Sequence, residues 1–214
     1  MRTFHRRHID QLQKKYRDLY HGVVLDIGGR DRGVFQKPKG RVQQWIFADI
    51  APGHHPDIVL DVSDMSPIET ASIDVVSALE LFEHVENVEA GLDECARVLK
   101  PGGTILLSAP FLHPIHADPF DFQRWTKYKW QKELEQRKFR VEKIEITGYF
   151  FSVLADMGLA FARSSPRILR KPLQLLASPF LFFSFWLDQK KWITQHPKLS
   201  QYHGGYFIVA KNHE

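Results

Sequence analysis

Asp26 stands two residues ahead of a glycine pair, Gly28 and Gly29, at the end of the apolar run Val23-Val24-Leu25. A carboxylate there attracts an ammonium and repels a pyrophosphate, while the glycines let backbone amides approach a ligand closely. The stretch reads Asp26-Ile27-Gly28-Gly29-Arg30-Asp31-Arg32-Gly33 and so lacks the G-x-G-x-x-G spacing of a dinucleotide loop. A zwitterionic amino-acid cofactor fits it better than a phosphorylated one. Two more acids, Asp49 and Asp61, each close a short apolar run further along. A second chemistry-bearing stretch runs from His113 to Thr126 and holds His116, Asp118, Asp121 and Arg124. A neutral imidazole takes a proton near pH 7, and a carboxylate can orient it.

These residues need elements to hold them. Short apolar runs predict strands at 23–28, 45–50, 57–60, 73–79, 104–109, 141–147 and 205–210. Ile9, Leu12, Tyr16, Leu19 and Tyr20 recur at helical spacing, which predicts an amphipathic helix over 5–20. Val88, Leu92, Cys95, Ala96 and Leu99 mark another over 88–99, stopped by Pro101-Gly102-Gly103. Glu83 and His84 are expected to begin the helix after the fourth strand. Thr126 is a plausible N-cap for a helix that buries Trp130 and Leu134. Strands alternating with helices predict an α/β fold: a doubly wound, mostly parallel seven-stranded sheet. Arg30 to Gln44 lacks an apolar stripe, so the first crossover helix is expected to be short or missing.

The chain has 214 residues, suited to one domain over 1–214 with an apolar helical insertion at 149–203. A formal charge of +4 with scattered basic residues does not make the stripe of a dedicated nucleic-acid binder. The single cysteine, Cys95, excludes an internal disulfide and any multi-cysteine metal site. His5, His8, His54, His55, His203 and His213 do not form metal-ligand spacing with acidic partners, so no metal is assigned. The first residues lack the apolar stretch of a secretory signal, which points to a cytoplasmic location.

Asp26-Ile-Gly-Gly, Asp49, Asp61, Leu81-Phe-Glu-His84-Val and Arg97-Val-Leu-Lys-Pro-Gly-Gly103, in this order and spacing, resemble the class I S-adenosylmethionine-dependent methyltransferases. The stretch from Pro110 to Thr126 is similar to small bacterial members of that group. The resemblance implies S-adenosyl-L-methionine as cofactor and a Rossmann-like fold. It implies that Asp26 holds the methionyl ammonium beside Gly28 and Gly29, and that Asp49, with Ile50 next to it, accepts the ribose hydroxyls. Asp61 would take the adenine amine and Val62 a ring nitrogen, although Asp61 also reads as a turn cap for Ser63 and Asp64. Ala78, Leu79 and Glu80 would line the methionine side, and His84 would support the site.

Methyl transfer from a sulfonium is an in-line displacement that depends on placing the acceptor and excluding water. His116 is then the first choice for a base, with Asp121 orienting it or binding acceptor hydroxyls. His113 and Arg124 would bind substrate; Arg124 otherwise ties the loop to Asp121, and the whole cluster otherwise shapes the pocket without proton transfer. The acceptor is expected to be an oxygen or nitrogen of a small-molecule, glycan or lipid-linked compound. Alternatives are a non-catalytic cofactor-binding or scaffolding protein and, third, a nucleic-acid methyltransferase, which lacks its Asn-Pro-Pro-Tyr-type motif at Ala78-Leu79-Glu80-Leu81.

The apolar run 173–187, rich in aromatics and flanked by cations, is shorter than the roughly 20 residues of a membrane span. It suits peripheral membrane contact, a wall around a lipid-like acceptor, ordinary burial or a homodimer contact.

Overall fold

The computed structural model describes residues 3–29 and 35–213, with the side chains of 176–182 outside the description. The loop sequence Arg30 to Gly33 and the residues Leu176 and Phe182 of the apolar run therefore lie outside the described parts. The elements are α1 (Phe4–Lys15), β1 (Gly22–Ile27), β2 (Val42–Asp49), β3 (Ile58–Val59), β4 (Ile73–Leu79), α2 (Val88–Val98) and β5 (Leu99–Pro110). Then come α3 (Lys127–Gln136), β6 (Phe139–Ile146), α4 (Phe150–Ser164), α5 (Arg167–Leu187), α6 (Lys191–Thr194) and β7 (Gly205–Asn212).

The seven strands form one sheet in the order β3-β2-β1-β4-β5-β7-β6. β1 runs parallel to both β2 and β4, and β2–β3 and β4–β5 are parallel as well. The chain winds outward from β1 in one direction and from β4 in the other, so a crevice opens beyond the carboxyl ends of these two neighbours. Val24, Leu25, Val75, Val76, Leu106 and Leu107 are fully buried, as expected of central strands covered on both faces. Cys95 on α2 is also fully buried, and burial pushes its thiol up to about 12.

Local chemistry explains where the elements begin and end. Thr126 Oγ1 accepts the Lys129 N–H at 3.4 Å and caps α3, which buries Trp130 and Leu134. Asn87 does the same for α2 through Ala90 N–H at 3.1 Å. Three expectations need correction. The helix predicted over 5–20 ends at Lys15 and continues only as a 3-10 turn at Arg17–Leu19. Tyr16 stacks on Phe207 at 5.7 Å and its hydroxyl donates to Glu145, a tertiary anchor that replaces the next helical turn. Pro101-Gly102-Gly103 lies inside β5 rather than before it: Leu99 pairs with Ile73 and Thr104 with Val75, so the triplet bulges from the strand. Glu83 and His84 sit on an isolated 3-10 turn, Phe82–His84, ahead of α2.

The chain clusters into two compact units. One comprises Leu12–Pro110, Pro114–Glu145 and Tyr206–Glu214 and holds nearly the whole sheet. The other comprises Met1–Gln11, Phe111–His113 and Ile146–Gly205. In the latter, Phe4, Ala155 and Leu159 form a small core with Phe185 packed on it. Asp156 accepts the backbone N–H groups of Phe4 and His5 at 2.9 and 3.1 Å. Asp188 accepts those of Tyr149, Phe151 and Ser152 at 3.0, 3.0 and 2.8 Å, which caps α4 from a distance. Among the described residues no helix is long and apolar enough to cross a membrane.

Candidate active site

Beyond the carboxyl ends of β1–β4 lies a cavity of about 830 Å³. Ile27 and Gly28 line it from β1, Asp49 and Ile50 from β2, and Asp61 and Val62 from the turn after β3. Glu80, Leu81 and His84 close it from the β4 side, and Phe120 and Phe122 from the loop after β5. The volume falls within the range of ligand sites.

Gly28 sits at φ +68°, and a β-carbon on it would come within 3.0 Å of Leu81. A β-carbon on Gly29 would run into the Asp26 carboxylate at 2.2 Å. Asp26 does not line the cavity; its Oδ2 accepts the Trp45 indole N–H at 3.2 Å, which fixes the carboxylate behind the turn. Asp49 does line it, with Oδ1 accepting Ala51 N–H at 2.8 Å and Oδ2 lying 2.9 Å from His54 Nδ1. Each oxygen keeps a second lone pair with which to accept from a ribose hydroxyl. Ile50 beside it is 66% exposed, an apolar side chain that a flat ring would cover. Asp61 Oδ1 accepts both Ser63 N–H (2.8 Å) and Ser63 Oγ (2.6 Å), so its turn-capping role is realised while it borders the cavity. Ala78 is fully buried in β4 and, like Leu79, forms no part of the wall, whereas Glu80 does. Glu80 adopts φ +55°, uncommon for a residue with a β-carbon. Its N–H donates to Ser108 O and Oγ, and its Oε1 accepts from the Ser108 hydroxyl at 2.9 Å. Glycines at the turn, one acid per strand end and an apolar neighbour make a donor set that fits S-adenosylmethionine.

The loop after β5 brings His116, Asp121 and Arg124 together. Asp121 receives Arg124 through both of its oxygens, at 2.5 and 2.7 Å, and accepts His116 N–H at 2.9 Å. The Arg124 guanidinium holds the Asp121 carboxyl well below the usual carboxylate range. Arg124 thus ties the loop, the alternative the sequence offered. His116 Nδ1 lies 3.3 Å from Asp121 Oδ2 and 3.3 Å from the Pro114 carbonyl, to which it is hydrogen-bonded. His113 is not part of this group: it lies 5.3 Å from the ring of His5, in a small cleft with Thr147 and Asp156.

Sequence reasoning missed the importance of Glu83. Its carboxyl is 1% exposed, and neither oxygen has a hydrogen-bond partner. Burial, followed by the nearby Glu80 carboxylate, pushes it well above the usual carboxylate range. His84 Nε2 lies 3.6 Å from Glu83 Oε1, and His116 Nε2 3.9 Å from the same oxygen. His84 donates from Nδ1 to the Phe120 carbonyl at 2.5 Å. Phe122 N–H donates to the Glu83 carbonyl at 2.8 Å, and the Gln123 amide donates to the Val85 carbonyl at 2.6 Å, so the turn after β4 and the loop after β5 are stitched together.

The methyltransferase-domain family model matches residues 37–107, from just before β2 into β5. The ubiquinone biosynthesis O-methyltransferase of Xanthomonas oryzae pv. oryzae is 44% identical over 106 residues, covering 42% of this chain and 44% of that protein. The matched part is thus less than half the length of that curated relative. Among solved structures, a SAM-dependent methyltransferase from Archaeoglobus fulgidus aligns with TM-score 0.62 at 19% identity, over 96% of this chain and 94% of that one. The [4+2]-cyclase SpnF aligns with TM-score 0.60 at 15% identity, over 95% and 79%. The fold is therefore that of the methyltransferases, and a protein with another stated reaction shares it, so the chemistry must be argued from the site.

Proposed function

We infer that this chain, a class I S-adenosylmethionine-dependent methyltransferase, methylates an oxygen of a small-molecule acceptor. The observation that carries the reading is one cavity with Asp49, Ile50, Asp61 and Val62 on one side and Glu80, His84, Phe120 and Phe122 on the other. Bound there, the donor supplies an electrophilic methyl on its sulfonium. Asp49 accepts from its ribose, Ile50 covers its adenine, and Asp26 acts on its ammonium from behind the glycine turn. Phe120 and Phe122 exclude water from the acceptor side. His116, oriented by Asp121 and 37% exposed, meets the acceptor hydroxyl at the solvent edge. The O-methyltransferase relative supports oxygen over nitrogen as the atom methylated. Contact of the 173–187 segment with a membrane surface is the part of the reading that concerns a lipid-linked acceptor; Phe183 and Trp186 there are about half exposed.

The test is calorimetric titration with S-adenosylhomocysteine, followed by label transfer from methyl-labelled donor to a panel of hydroxylated small molecules, glycans and lipids. Saturable heat at one equivalent and a labelled ether are expected. His116→Ala should keep the heat and lose turnover roughly 10²–10⁴-fold. Folded protein that gives no heat overturns the reading; heat with no turnover on any acceptor favours the scaffolding alternative.

A further inference from the structure

We propose that Glu83, His84 and His116 form a binding site for a divalent first-row transition cation at the acceptor end of the cavity.

The tautomers carry the argument. His84 Nδ1 lies 2.5 Å from the Phe120 carbonyl oxygen, so its proton is on Nδ1 and a lone pair is left at Nε2. His116 Nδ1 lies 3.3 Å from both the Asp121 carboxylate and the Pro114 carbonyl, so its proton is also on Nδ1. Both Nε2 lone pairs then face Glu83 Oε1, at 3.6 and 3.9 Å, and the buried carboxylate has no donor of its own. Three atoms able to ligate a cation thus converge at one end of the cavity. The distances are too long for a proton shared between carboxyl and imidazole to bridge them as a hydrogen bond.

A cation resolves the arrangement. The three ligand atoms lie within 4.8 Å of one another, and no other such group occurs among the described residues. Around a zinc-like ion with bonds of about 2.1 Å, tetrahedral ligands stand roughly 3.4 Å apart, so the side chains must draw together on binding, by a few tenths of an ångström from Glu83 to each imidazole. The rings meet edge to face at 76°, which brings their nitrogens in from different directions. Each imidazole already has the outer partner that metal-bound histidines use, a backbone carbonyl: that of Phe120 for His84 and that of Pro114 for His116. The charges agree. The Glu80 carboxylate stands near that of Glu83, so negative charge gathers beside the three ligand atoms. Two nitrogens and one oxygen select Mn²⁺, Fe²⁺, Co²⁺ or Zn²⁺ over the oxygen-seeking Mg²⁺ and Ca²⁺.

This inference rests on the O-methyl transfer reading and assigns His116 there as a ligand. Three protein ligands leave a position open for the acceptor hydroxyl. On binding, that hydroxyl loses its proton to water. Its oxygen forms the new bond to the methyl carbon as the carbon–sulfur bond breaks with the pair staying on sulfur, and the products are a neutral ether and a neutral thioether. The cation's oxidation state does not change.

The experiment is titration of the chelator-stripped full chain with Co²⁺, followed by visible d–d absorption, with S-adenosylhomocysteine calorimetry in parallel. One equivalent of Co²⁺ is expected to produce the band, and Zn²⁺ to displace it. Glu83→Gln and His116→Ala should each weaken binding at least about tenfold, with unchanged circular dichroism, whereas His213→Ala should have no effect. If Glu83→Gln does not fold, the surface-accessible His116→Ala decides. No band at millimolar Co²⁺, or a band that His116→Ala leaves intact, overturns the site. S-adenosylhomocysteine heat without Co²⁺ binding sinks the cation and spares the methyltransferase reading; Co²⁺ binding without that heat does the reverse.

Discussion

Gly28 is the residue at which backbone geometry and the proposed cofactor contact meet. Its φ of +68° belongs to the left-handed region, and Leu81 waits 3.0 Å from where a β-carbon would stand. Gly28→Ala should cost about 1–2 kcal/mol of stability from the backbone alone and weaken S-adenosylhomocysteine binding. Chemical denaturation and calorimetry check the two effects; a variant that matches the parent in both would show that the turn tolerates a side chain. Such a glycine is legible in sequence because an acid and an apolar run flank it. The Asp121–Arg124 pair is legible too, being three residues apart. Glu83 is not: His116 lies 33 positions further on, and nothing in the spacing shows that folding buries one beside the other. Nor does the spacing show what holds Asp26, because the indole that donates to its carboxylate belongs to Trp45 on the next strand.

At the scale of elements, Asp188 shows how a helix is started by a residue outside it. It follows α5, yet it takes three N–H groups at the start of α4. Asp188→Ala leaves those donors without their acceptor and should cost about 2–3 kcal/mol. Thermal unfolding should show a loss of roughly 5–10 °C for a chain of this size, and an unchanged midpoint would mean that α4 needs no such cap. Strands were readable because buried parallel strands are continuous apolar runs, and α3 because Thr126 is a local signal. Helix ends set by distant contacts were not. Tyr16 leaves the helical path for Phe207 and Glu145, and the Pro-Gly-Gly triplet joins a strand because Leu99 already pairs with Ile73.

For the whole molecule, the proposed function makes donor binding and folding one linked equilibrium. S-adenosylhomocysteine at a hundred times its dissociation constant should stabilise the chain by about 2.7 kcal/mol, or roughly 5–10 °C in the unfolding midpoint. A melting curve indifferent to the ligand would contradict binding to the folded state. The doubly wound architecture followed from alternating runs. The cavity wall at Phe120 and Phe122 did not, because it is built by a loop that carries no periodicity.

The hydrogen bonds that join the turn after β4 to the loop after β5 also bear on how such a protein diversifies. Phe120, Phe122 and Gln123 are each tied to a backbone or ring atom between Glu83 and Val85. Insertions or deletions in that loop would break the ties and disturb both sides of the cavity. Variation there is therefore confined to the exchange of side chains on a loop of constant length.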